Sequence, residues 1–131
     1  MTVVVWIFAL LAATLHIVVF ACEAILIERP SVHDGVFGLP YVPAVRVWTF
    51  GLGFYNLFLG CGMVVGVIAW MGGNELVGRT LVIYICLFMI LCGIVLFIAD
   101  RLGFGGVEGK SIGGAVGQSL PPLVALIAAL L

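Results

Sequence analysis

The sequence predicts an all-α bundle of four membrane-spanning helices, and three observations lead there. Of its 131 residues, 65% are hydrophobic and 8% charged, where a soluble domain carries roughly 25% charge. The mean hydropathy is +1.40. The apolar residues fall into four runs, Val3 to Ile27, Val45 to Met71, Leu81 to Ala99 and Ile112 to Leu131, each near the ~20 residues a helix needs to cross about 30 Å of hydrocarbon. These runs lack the ten-residue alternation of transmembrane strands. The same composition excludes a disordered chain. Five Lys+Arg against six Asp+Glu leave a net charge of −1 and no basic stripe to neutralise phosphates, so a nucleic-acid partner is excluded as well.

Taken in order, the first span lacks a positive n-region and is longer than a signal h-region, so it reads as an uncleaved helix, although Val19-Phe20-Ala21-Cys22 loosely resembles a lipoprotein box. The first loop, Glu28 to Ala44, is rich in Pro and Gly. The second span follows, then the tight Gly72-Gly73-Asn74-Glu75 connection, the third span, and a glycine-rich loop from Asp100 to Ser111 containing Gly103, Gly105, Gly106 and Gly109. No soluble domain fits in these loops, and residues 1–131 read as one integral membrane domain. Arg29, Arg46, Arg101 and Lys110 flank or lie in loops one and three, and only Arg79 lies in loop two. The positive-inside rule therefore places loops one and three in the cytoplasm and both termini on the outer side of the membrane.

Small residues let helices approach in lipid. Gly62 and Gly66 lie on one face of span two, and Gly109, Gly113 and Gly117 form a row into span four. Both read as packing faces, against the same chain, a second copy or a larger membrane complex. Cys22, Cys61, Cys86 and Cys92 all fall within spans without a C-x-x-C pair, and read as inert packing. Pro121 and Pro122 remove two amide donors, so the carbonyls of Gly117 and Gln118 lose their helical partners and the fourth helix is expected to kink.

Polar groups in hydrocarbon usually face the bundle interior. The spans hold few: His16 and Glu23 in the first, Thr49, Tyr55 and Asn56 in the second, Tyr84 in the third, Gln118 and Ser119 in the fourth. His16 sits near the middle of its span, and Asn56 and Gln118 each lie about three residues, roughly 4.5 Å, to the loop-one side of theirs. The three are expected to share one layer, with Tyr55 beside it. Glu23 lies seven residues beyond His16, on nearly the same face and about 10 Å away along the axis. That is too far to chelate one metal, and no metal site is predicted. Glu23 comes within reach of Arg46 and Arg101, so an ion pair is its expected role, and a proton relay with His16 is the alternative.

The elements His16 and Glu23 in H-x6-E, Pro30, Phe37-Gly38-Leu39, Gly53-Phe54-Tyr55-Asn56 with Phe58-Leu59 and Gly62, and Gln118-Ser119-Leu120-Pro121 together resemble the domain-of-unknown-function 1304 family of small bacterial integral membrane proteins. The resemblance spans essentially the whole chain. It implies a four-helix membrane protein and brings no established activity. Members usually carry an Asn-Gln pair just before the Gly of the Gly-aromatic-Tyr-Asn element, where this chain has Gly51 and Leu52.

Three functional classes follow. A non-catalytic bundle, an accessory subunit packed on a partner or on itself, is favoured by size and glycine faces. A binder or carrier of a small hydrophobic ligand or of protons would use the His16, Asn56 and Gln118 layer. An intramembrane enzyme using His16 and Glu23 as acid and base comes last, because no nucleophile, metal set or cofactor motif accompanies them. The cofactor question stays open: His33 lies in loop one, so a bis-His haem does not fit one chain, while a single-His haem or a quinone contact is compatible with the layer.

Overall fold

The computed structural model describes residues 1–38, 40–104 and 109–131. Leu39, Gly105 and Gly106 of the predicted loops lie outside the described residues. In chain order, α1 (Thr2–Phe20) is continued by a π-helical turn (Ala21–Ile25), and the first loop holds a single helical turn, α2 (Pro30–His33). A 3-10 turn (Pro43–Val45) then leads into α3 (Arg46–Met71), followed by α4 (Glu75–Arg101) and α5 (Ile112–Leu130). No strand occurs among the described residues. The four long segments are each long and apolar enough to cross a membrane. Each agrees with its predicted span to within a few residues at its start and end, apart from the start of α4.

There α4 begins six residues before the predicted span. Asn74 explains the early start: its side chain accepts from the Val77 amide at 3.4 Å, and Glu75 sits in the first turn, where a negative charge suits the helix dipole. Gly73, at φ +92, supplies the left-handed residue that the tight reversal from α3 requires. The last helix runs through Pro121 and Pro122 as one element, and both prolines are buried against the bundle.

The helices form an up-down-up-down ring in which α1 packs on α3 and α5, and α4 packs on α3 and α5. Side chains that are large and apolar cover the outside, among them Ile7, Leu10, Phe50, Phe58, Ile68, Leu91 and Ile127. That is the reverse of a soluble protein, whose exposed apolar patches are small. The core is narrow: Val5, Ala9, Ala12 and Ala13 of α1 meet Met63 and Val67 of α3, Val82, Cys86 and Met89 of α4, and Ala125, Ala128 and Ala129 of α5. All but Met89, which sits midway along α4, lie in the half of the bundle nearest the chain termini and the Gly73 turn.

Glycine sets how closely the helices approach, but largely at positions that a four-residue spacing does not pick out. A β-carbon at Gly60 would come 2.8 Å from Ile17 and 3.0 Å from the Ala13 carbonyl, and one at Gly53 would come 2.8 Å from the Ala24 β-carbon. These two glycines, seven apart, seat α3 on α1 and its π-turn. At Gly78 it would overlap the Trp70 backbone, and at Gly93 the Ser119 hydroxyl. Gly62 and Gly66 face Ile85, Leu81 and Val82 of α4, so that row packs within the chain. A β-carbon added at Gly113 or Gly117 would meet nothing within 4 Å, and the two make no packing face with the described residues. Of the cysteines only Cys86 is buried. Cys22 is half-buried and Cys61 and Cys92 are exposed.

Candidate functional site

The other half of the bundle, nearest loops one and three, is loosely filled. The π-turn begins the difference. Its i to i−5 geometry is marked by the Leu26 amide donating to the Ala21 carbonyl at 2.9 Å, and π-turns of this kind recur at functional sites. Here it carries Glu23, the only acidic residue in the first span. Arg46, at the start of α3, donates from Nη2 to the Ala24 carbonyl at 3.0 Å and from Nε to Glu28 at 3.1 Å, and its guanidinium lies over the Phe50 ring.

This corrects the expected ion pair of Glu23 with Arg46 or Arg101. Arg46 is drawn to Glu28 and to the carbonyl of the π-turn, while Arg101 bonds Asp100 at 3.1 Å. Glu23 instead accepts a hydrogen bond from Asn56 Nδ2 at 2.8 Å, and the same nitrogen donates to the Leu52 carbonyl one turn earlier at 3.2 Å. An amide nitrogen has two hydrogens, so one can serve each acceptor. Asn56 thereby links the π-turn to α3.

His16, 4% exposed, bonds through Nδ1 to the Ala12 carbonyl at 2.9 Å. A carbonyl only accepts, so Nδ1 carries the hydrogen, and in the neutral ring Nε2 is left with a free lone pair. The ring borders a cavity of about 550 Å³ together with Asn56 and Gln118, and with Tyr55, Phe58, Phe88, Met89 and Cys92. Residues from α1, α3 and α5 thus supply its polar groups, and α3 and α4 most of its apolar wall. Tyr55 lies at the exposed rim.

A second, inner cavity of about 380 Å³ shares His16, Asn56, Leu96 and Gln118 with the first and extends toward the loops, past Glu23 and Phe37 to Lys110 and Ser111. Gly114 and Gly117 of α5 border it too. A third cavity, about 570 Å³, lies under loop one and shares Glu23 and Phe37 with the inner one. His33, Tyr41, Thr49 and Phe104 also line it. Lys110 Nζ donates to the Gly38 carbonyl at 2.7 Å and ties loop three to loop one. Asp100 accepts from the Gly109 and Ser111 amides, each at 2.8 Å, and so fixes where α5 begins. No group of three His, Cys, Asp or Glu arranged to hold a metal occurs among the described residues.

The structure therefore brings His16, Asn56 and Gln118 to one cavity wall, with Glu23 one cavity further toward the loops. Cys92 lies at the same wall, a position that a reading of span cysteines as packing does not single out. Only helix pairing reveals it, since α4 must face both α3 and α5 at that depth.

Fold and site together define a class: small four-helix proteins with helices long and apolar enough to span a membrane and a polar layer opening into interior cavities. The chain belongs to the family described as Protein of unknown function (DUF1304), whose model matches residues 10–130. No curated protein and no solved structure matches it.

Proposed function

We propose that this chain is a membrane-embedded binding module for a small, largely apolar molecule bearing a carbonyl or hydroxyl group, held at the cavity bordered by His16, Asn56 and Gln118. One observation carries the reading. Polar side chains from three helices line one cavity of about 550 Å³ whose remaining wall is aromatic and aliphatic. That size lies in the range of about 300–1,000 Å³ common for small-molecule sites, which are likewise apolar with few polar groups. The lone pair of His16 Nε2 and the Gln118 amide offer an acceptor and donors to such a ligand. The exposed rim at Tyr55 and Phe58 gives entry from the bilayer side.

The test is to purify the protein in mild detergent and extract its bound small molecules for mass spectrometry, comparing wild type with Gln118→Leu. Wild type should carry a defined lipid-soluble species in near-stoichiometric amount, and Gln118→Leu should lose it while keeping its helical circular dichroism. A wild-type protein carrying only bulk phospholipid, in the same proportions as the variant, overturns the reading.

A second reading rests on the Gly113 and Gly117 row, which no described residue covers. It supports an accessory role in which α5 packs on a partner helix or a second copy, with small residues allowing close approach. Gly113→Leu would then shift the protein to a smaller assembly in sedimentation while leaving the cavity ligand in place. In either reading loops one and three face the cytoplasm.

A further inference from the structure

We propose that Glu23 is a proton-exchanging carboxyl, loaded from the cavity under loop one and shared with the His16 layer through the inner cavity. Its position is the first reason. Glu23 borders both the loop-one cavity and the inner cavity, and His16 borders both the inner cavity and the one open at Tyr55. Neighbouring cavities share these lining residues, and the two groups stand where the cavities meet, about 10 Å apart by helical rise. In the inner cavity Glu23, His16, Asn56, Gln118, Lys110 and Ser111 offer water the hydrogen-bond partners that it needs to enter.

Its partner is the second reason. An arginine would favour only the carboxylate, whereas Asn56 can serve both states: Nδ2 donates to the carboxylate as observed, and after protonation the amide can turn so that Oδ1 accepts from the acid O–H. The surrounding charges leave that role open. On its own segment the neighbours are His16 and Glu28, and Glu28 is engaged with Arg46. Loop one brings His33 and Tyr41 to the loop-one cavity. The α3 cation, Arg46, donates from Nε to Glu28 and from Nη2 to the Ala24 carbonyl, and its Nη1 is buried without a hydrogen-bond partner among the described residues. Lys110 lines the inner cavity and donates to Gly38, and Arg101 of α4 is bonded to Asp100.

The transfer balances. Hydronium in the loop-one cavity gives its proton to Oε1 of the carboxylate and leaves water. The acid passes that proton through water of the inner cavity to Nε2 of His16, restoring the carboxylate and forming imidazolium. The route depends on no ligand at the His16 layer, so it stands or falls separately from the binding role.

The experiment uses dicyclohexylcarbodiimide on the full chain in detergent micelles, between about pH 5 and pH 8. This reagent adds to a protonated carboxyl: the acid proton goes to a carbodiimide nitrogen, the carboxyl oxygen bonds the central carbon, and acyl migration gives a stable N-acylurea with nothing lost. Peptide mapping should place one adduct on Glu23, with a rate that falls about tenfold per pH unit once the carboxyl is mostly ionised. Glu23→Gln should abolish it. Asn56→Ala removes the donor that favours the carboxylate, and should move the labelling profile to higher pH; it keeps the test decisive if Glu23→Gln fails to fold. Adducts confined to Glu28, Asp34, Glu75 or Asp100 would overturn the proposal. So would a Glu23 adduct whose rate is flat with pH, or whose profile Asn56→Ala leaves unmoved.

Discussion

The two halves of the bundle are built from the same four helices and differ in what fills them. Toward the termini, small residues bring the helices together around Met63, Val67 and Cys86, none more than 1% exposed. Toward loops one and three the helices leave three cavities that share lining residues, bordered by His16, Glu23, Asn56 and Gln118. Packing is what holds helices together in lipid, where water exclusion is absent. The closed half therefore carries the stability and leaves the open half free to be hollow.

The largest effect that would sharpen this contrast is Met63→Ala, which should cost about 2–5 kcal/mol by emptying a filled core, read as loss of thermal stability in detergent. Gly78→Ala should follow at about 1–3 kcal/mol, because its β-carbon overlaps the Trp70 backbone and forces α3 and α4 apart. In the open half Asn56→Leu should cost less, about 0.6 kcal/mol and at most about 1.7 kcal/mol, the mean and maximum for hydrogen bonds between helices in membranes. Gln118→Leu should change stability by no more than about 0.5 kcal/mol while removing cavity-bound material. Gly117→Ala should be neutral or stabilising by up to about 1 kcal/mol, since nothing meets the new methyl and alanine is the better helix former. If Gln118→Leu destabilised the fold as much as Met63→Ala, the division of labour between the halves would be wrong.

Much of this architecture is legible in the residues alone. Hydropathy and the 1.5 Å rise place the four spans, and the same arithmetic puts His16, Asn56 and Gln118 at one depth, because depth depends only on counting residues from a span's end. What counting cannot supply is rotation. Gly62 and Gly66 are legible as a face, but not that the face meets α4. Gly53 and Gly60 lie seven apart and offer the same signal at a longer interval. Depth alone points Glu23 to Arg46, and it fails there because the π-turn opens a carbonyl at Ala24 that competes for the guanidinium. The early start of α4 escapes hydropathy, which does not register a cap such as Asn74.

That π-turn also has a consequence in chain arithmetic. Each residue of an α-helix advances the face by about 100°, so deleting one residue normally swings everything beyond it to another side. Ala21–Ile25 holds one residue more than an α-turn needs, and deleting Cys22 would let the segment close as ordinary α-helix. His16 and the core contacts of Val5 to Ala13 would keep their phase, while Glu23 would be carried away from Asn56. The same deletion at Leu10 would misalign the residues that hold the closed half together. Melting curves for the two deletions should therefore differ sharply, with the Cys22 deletion folded and Leu10 not.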